Sequence, residues 1–367
     1  MSGNSRKRRG DGRPTIAQVA ALAGVGTMTA SRALRTPHLV SDALRASVER
    51  AVEELNYVPN LSARALASKS SDVVVVLVPT LTQHIFSEVV KGIYDGLEGT
   101  PLQVQIGNTR YDAEEEERLL RVFLRQRPSA VIVSGTHQSK ASRQLLERAG
   151  CPVVQIMDVS DDPIDRIVGY SHVDAGYAAT RHLIEKGYER LAFFTGWMHQ
   201  RAEGRLRGFE QATREAGIYR PDLIFRVEDR VSFDLGSTMA GPNRRFGSHP
   251  FSSPGLGRAM LSDALDLPRP PDAVFCNNDI LAIGVLFEAH SRGIAVPDQL
   301  GICGFNDLDL MAAAHPSLSS LRTLRYEIGF ESVQVIRRAL DGRPDDQKIR
   351  NMGFEVMARQ STNRNGG

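Results

Sequence analysis

Four polar residues, Asp158, Arg205, Asn278 and Asn306, fall behind segments with the composition of β-strands. In open α/β sheets that is where ligands bind. It is also where polar side chains cap the next helix, so each has a structural reading beside the functional one. A carboxylate, a guanidinium and two carboxamides can ion-pair with and hydrogen-bond a small polar molecule. Catalysis would ask for more. The sequence has no G-x-S-x-G elbow, no H-E-x-x-H pair and no Walker loop, and its nine histidines lack metal-ligand spacing. Cys151, Cys276 and Cys303 are far apart with no C-x-x-C pair, so buried free thiols are expected and neither a disulfide framework nor a zinc site is. No cofactor is implied, and a binding protein is favoured over an enzyme.

A second group lies near the N-terminus. Thr27, Met28, Ser31 and Arg32 share the outward side of a short helical segment whose Ala30, Ala33 and Leu34 suit an inward face. An arginine there can reach a guanine edge or a phosphate, a threonine can donate to either, and a methionine can pack on a thymine methyl. The charge distribution agrees. Residues 1–70 hold 11 Lys and Arg against 5 Asp and Glu, whereas the remainder holds 34 against 38, so a net charge of +2 hides a basic head on a mildly acidic body. Such a head suits a polyanion.

The elements that must position the head follow from spacing. Ile16, Val19, Ala20 and Ala23 form one helical face with Thr15 as N-cap, Gly24 breaks the helix, and Val25 plugs the core before the second helix over about 27–34. Two short helices joined by a Gly-containing turn form a helix-turn-helix. A third helix, capped by Ser41, presents Leu44, Val48, Ala51, Val52 and Leu55. Pro59 stops it, and Asn60 starts an Ala-rich segment of about two turns that needs a partner to persist.

From Asp72 onward β-rich and helical segments alternate, beginning with the β-branched run 73–78, which predicts parallel sheets with helices on both faces. There are more strands than one small sheet needs, so a two-lobed α/β core with a cleft is expected. Residues 239–254 interrupt the pattern as an inserted surface loop. No run of about 18 apolar residues occurs, so no membrane span is expected, and the basic N-terminus lacks the apolar stretch of a secretory signal, which points to a cytoplasmic protein.

The segments Thr15–Ala20, Ala23-Gly24-Val25, Thr29–Leu34, Leu55–Asn60 and Ala63–Ala67 resemble the LacI/GalR family of transcription regulators. Within it, Gly24–Thr29, Cys276–Ala282, Ile302–Asp307 and Ser320–Gly329 resemble the gluconate-utilisation repressors. The resemblance implies a DNA-binding face of Thr15, Thr27, Met28, Thr29, Ser31 and Arg32. It also implies a hinge helix touching DNA through Asn60, Arg64 and Leu66, with Leu66 wedged into the minor groove. Gly26 departs from the family's usual serine. The core is implied to be periplasmic-binding-protein-like, with Asp158, Arg205, Asn278 and Asn306 on the effector. Asn306 stands where the lactose repressor has an aspartate, which suits an anionic ligand paired with Arg205.

The organisation that follows is a basic arm over 1–13, a helix-turn-helix domain over 14–58, hinge helix and linker over 59–71, an effector-binding and dimerisation core over 72–359, and a tail over 360–367. The expected partners are operator DNA, a sugar-acid effector such as gluconate or 6-phosphogluconate, and a second copy of the chain. A response to another sugar, a corepressor mode, and remotely an enzyme acting on a sugar acid stay open at this point.

Overall fold

The computed structural model describes residues 14–35, 39–58, 71–81, 84–227, 252–343 and 346–364. The chain divides into two compact units between Ser71 and Asp72.

The first unit holds α1 (Ile16–Leu22), α2 (Thr27–Arg35) and α3 (Asp42–Glu54). Thr15 closes a capping box: its hydroxyl accepts from the Gln18 backbone, and Gln18 accepts the Thr15 N–H at 2.8 Å. Gly24 has φ +69°, a conformation that costs a glycine nothing. Val19, Ala20, Ala30, Ala33, Val48 and Ala51 are buried together, with Val25 and Leu34 packed against them. Four of those six are alanines, so the three helices approach closely. Ser41 stands at the N-cap of α3 without a side-chain cap bond; Asp42 in the first turn supplies the favourable charge instead.

The second unit contains two six-stranded sheets. The first comprises β1 (Val73–Val78), β2 (Gln103–Asn108), β3 (Ala130–Ser134), β4 (Val153–Ile156), β5 (Arg166–Gly169) and β11 (Ile349–Asn351), in the order 11-5-4-3-1-2 and parallel throughout. The second comprises β6 (Leu191–Thr195), β7 (Ile224–Arg226), β8 (Ala273–Cys276), β9 (Gly301–Asn306), β10 (Ser319–Thr323) and β12 (Phe354–Met357). Its order is 12-10-9-8-6-7, and only β12 runs antiparallel. Strand β1 shows why these runs are apolar: Val74, Val76 and Val78 face one buried cluster, and Val75 and Leu77 the opposite one.

The helices flanking the first sheet are α4 (His84–Leu97), α5 (Ala113–Leu124), α6 (Lys140–Glu147) and α12 (Arg325–Leu340). Those of the second lobe are α7 (His172–Glu185), α8 (Gln200–Glu215), α9 (Pro254–Leu265), α10 (Asp279–Ser291) and α11 (Asp309–Ala313). The chain passes between the sheets after β5, after β10 and after β11, so the polar residues near these crossings can touch both lobes.

Periodicity missed five strands, β5, β7, β10, β11 and β12. All have three to five residues, too few for a period to register, and β10 (Ser-Ser-Leu-Arg-Thr) and β11 (Ile-Arg-Asn) are also mostly polar. Strand β9 extends to Asn306, so Asn306 is its last residue rather than a residue beyond it. Cys276 and Cys303 are buried as expected, but Cys151, in the turn that leads into β4, is only half-buried.

Candidate functional site

Helix α8 carries the charge of the site. His199 caps its N-terminus, accepting from Ala202 N through Nδ1. Arg201 and Arg205, four residues apart, lie on one face of the helix and both line the cleft. Helix α8 lies tight on α7 because Gly176 leaves room for the Arg205 carbonyl: a Cβ at position 176 would collide with it.

Arg205 is 6% exposed and is hydrogen-bonded through Nε and Nη1. Its Nη1 donates to Asn277 O at 2.6 Å and to Asn277 Oδ1 at 3.1 Å, and its guanidinium lies 3.6 Å from the centroid of the Phe305 ring. Asn277 is itself held by donation to Thr195 Oγ1 at 3.0 Å. The Arg205 Nε donates to His172 Nδ1 at 3.3 Å, and His172 Nε2 donates to Met157 O at 3.0 Å. That arrangement needs a neutral imidazole, and burial followed by the Arg205 and Arg201 charges pushes the His172 pKa well below its ordinary value. Among the described residues no carboxylate bonds Arg205; its guanidinium meets the Asn277 oxygens, the His172 imidazole, the Phe305 ring face and the Tyr170 phenol.

Two buried polar atoms beside it have no partner among the described residues: the Tyr170 hydroxyl and Asn306 Oδ1. Asn306 is 2% exposed with φ +108°, and its backbone O accepts from Arg325, which also pairs with Glu88 of the other lobe at 3.0 Å. Asn278 caps α10 by accepting from Leu281 N and donates to Ser252 Oγ at 2.6 Å. With Met157, these residues line an inner chamber of about 60 Å³.

Tyr111, Trp197, His199 and Arg201 line this chamber on one side and a larger outer chamber, of about 340 Å³, on the other. Tyr111 from the first lobe stacks on His199 at 5.4 Å and meets Trp197 edge-on at 5.5 Å. Arg201 spans the lobes by donating to Ser134 Oγ at 2.6 Å. Burial, then the Arg205 and Arg201 charges, lower the His199 pKa to about 3. The outer chamber is acidic: Asp112, Glu116, Asp158 and Glu203 line it.

The four effector candidates therefore divide. Arg205, Asn278 and Asn306 meet in the inner chamber, whereas Asp158 lines the outer one, accepting from Val159 N at 2.8 Å and Thr136 Oγ1 at 3.3 Å. Arg205 does not sit at a strand end; it lies within α8, because the helix begins at Gln200. Asn278 also performs the capping role that its position allowed. Sequence reasoning missed Tyr111, Tyr170, His172, Trp197, His199, Arg201 and Asn277. Of these only Arg201 had a legible signal, its i,i+4 spacing from Arg205.

In the first unit Thr27 and Arg32 are exposed, Met28 is 77% exposed, and Thr29 and Ser31 are half-buried. An unburied methionine beside an arginine at the start of α2 is a surface that the unit's own core leaves available. Thr15 is exposed, but its hydroxyl is committed to the cap. Asn60, Arg64 and Leu66 lie outside the described residues, as does most of the insertion. The end of the insertion is described: Ser252 lines the inner chamber and Ser253 caps α9.

Comparison with known proteins matches this layout. Residues 15–60 match the bacterial regulatory proteins of the lacI family, residues 71–232 the periplasmic binding proteins and sugar binding domain of the LacI family, and residues 180–362 a periplasmic binding protein-like domain. The HTH-type transcriptional regulator GntR of Pseudomonas aeruginosa is 38% identical over 98% of both chains. Among solved structures, a LacI family transcriptional regulator from Silicibacter pomeroyi superposes with a TM-score of 0.83 at 33% identity, covering 96% of this chain and 100% of that one. The transcription regulator GntR from Chromobacterium violaceum gives 0.70 at 34% identity over 79% of this chain and 99% of its own. These relatives are regulators and not enzymes. With a helix-turn-helix unit ahead of a two-lobed core, and relatives matching along nearly its whole length, the chain belongs to the LacI family of DNA-binding transcriptional regulators.

Proposed function

We propose that the protein is a cytoplasmic homodimeric repressor of sugar-acid utilisation genes that leaves its operator when a sugar acid, gluconate or its 6-phosphate, occupies the cleft. The observation that carries this reading is the pair of guanidiniums at Arg201 and Arg205, lining a chamber that has no carboxylate among its described lining residues. A buried cation without a counter-ion is costly. An anionic ligand relieves that cost through charge-assisted hydrogen bonds. Similarity to the two proteins named GntR supports the same class of ligand.

On the DNA side the reading assigns Thr27, Met28, Thr29, Ser31 and Arg32 to the major groove, Thr15 to the flanking backbone, and Asn60, Arg64 and Leu66 to the hinge contacts. On the ligand side it assigns Arg205, Asn278 and Asn306 to direct contact and Asp158 to the outer chamber. Ligand and operator then oppose each other with one reciprocal coupling energy. The test is operator binding titrated with D-gluconate, 6-phosphogluconate and neutral glucose. Release by an acid but not by glucose is the expected outcome; indifference to every acid removes the sugar-acid assignment.

A further inference from the structure

The division of the cleft into two chambers of opposite charge narrows the ligand. The inner chamber, about 60 Å³ against about 340 Å³ for the outer one, is the tighter of the two and suits one end of a sugar acid, with the remainder reaching into the outer chamber. Its chemistry is specific. Arg201 and Arg205 present guanidiniums, and the Tyr170 hydroxyl, beside Arg205, and Asn306 Oδ1 are buried without a hydrogen-bond partner among the described residues. Orphaned buried polar atoms are rare and call for a partner. A carboxylate accepts from the arginines and the phenol, but it has no proton for an amide oxygen. A hydroxyl on the neighbouring carbon has one. The two orphans and the two arginines together fit a carboxylate with an adjacent hydroxyl.

The outer chamber has the opposite character. Asp112, Glu116, Asp158 and Glu203 line it, and Arg201 is the one cation among its lining residues. Hydroxyls can donate to carboxylates, whereas a second anion there meets like charges.

Resting on the sugar-acid reading above, we propose that the inner chamber takes the 2-hydroxycarboxylate end of a monoanionic polyhydroxy acid, and that the acid-lined outer chamber excludes ligands carrying a second anion at the far end. The effector is then an aldonic acid rather than its phosphate ester or a dicarboxylic sugar acid. Tyr170 and Asn306 read the 2-hydroxycarboxylate end of the ligand, and Glu116 and Glu203 set the charge selectivity.

Calorimetric titration of the full chain at pH 8 tests this, because burial lifts the Glu116 carboxyl to about 7 and it is ionised there. The ligands are D-gluconate, 2-ketogluconate, 6-phosphogluconate and D-glucarate. Gluconate binds at least about tenfold more tightly than each of the others, a difference of about 1.4 kcal/mol. The double variant Glu116→Gln/Glu203→Gln narrows the gap for the two ligands with a second anionic group, 6-phosphogluconate and glucarate, and leaves the gap for 2-ketogluconate unchanged. Tyr170→Phe, which removes a buried hydroxyl that has no hydrogen-bond partner among the described residues, keeps the melting temperature and weakens gluconate about tenfold. Binding of 6-phosphogluconate or glucarate as tight as gluconate overturns the charge selection, as does an unchanged gap in the double variant. Equal binding of 2-ketogluconate, or full affinity in Tyr170→Phe, overturns the hydroxyl readout. If no acid binds at all, the sugar-acid reading itself has failed, a result distinct from binding without preference.

Discussion

Arg205 and His172 hold each other in a single protonation state. The arginine donates to His172 Nδ1 at 3.3 Å, and the opposite ring nitrogen donates to Met157 O at 3.0 Å, so a guanidinium on α8 is tied through a neutral imidazole to the end of β4 in the other lobe. His199 lies against the same charges, with its pKa lowered to about 3. Below the ordinary histidine value of 6.5, an unfolded chain takes up protons that these folded imidazoles refuse. Each therefore costs stability as pH falls from about 6.5 towards its folded value. Asp279 and Glu116 act in the opposite sense: their carboxyls are raised to about 6 and about 7, so they favour the folded state as they protonate. The total pH profile mixes both signs, and a variant difference separates them. His199→Asn keeps a good N-cap and removes the titration. Its melting temperature relative to the parent should rise steadily from pH 6.5 to pH 4 and stay constant above pH 7. A constant difference across the whole range would show that His199 protonates freely in the fold.

Arg205→Lys keeps a positive charge but loses the planar fork that serves Asn277, His172 and the Phe305 ring. Acid binding should weaken roughly 10- to 100-fold while the chain stays folded, because a point charge cannot reproduce bidentate geometry. Retention of parental affinity by calorimetry would move the anion contact to Arg201 alone.

Gly176→Ala places a methyl against the Arg205 carbonyl and must push α8 away from α7. Overpacking of this kind costs about 1–3 kcal/mol. It also displaces Arg205 and its pair of acceptors on Asn277, so ligand affinity should fall together with the melting temperature. A folded variant with unchanged affinity would separate helix spacing from ligand recognition.

In the first unit, the proposed DNA contact of Met28 can be tested apart from the fold, because its side chain lies outside the core. Met28→Ala should leave stability within about 0.5 kcal/mol, since the side chain is 77% exposed, yet weaken operator binding by about 1–3 kcal/mol at one base position. Thr15→Ala should cost about 1 kcal/mol in unfolding titrations through loss of the cap on α1. Equal operator affinity for Met28→Ala and parent across a panel of base substitutions would remove Met28 from the recognition surface.

Helix starts and buried strands were legible because each depends on a few neighbouring residues. Thr15 with Gln18, Gly24 at φ +69° and the β-branched run of β1 have short-range causes, and so does the alternation that implies parallel sheets. The cleft depends on residues far apart in sequence. Asn306 carries no local sign that its amide oxygen ends buried without a partner, and Tyr111 none that it stacks on His199 of the other lobe. The order of strands around three crossings between the sheets decides both. For the same reason Asp158 was grouped with Arg205 by position, and only the folded lobes separate them into chambers of opposite charge. Local propensity determined the elements, and long-range packing decided which polar groups lost water together, and so what ligand the cleft can hold.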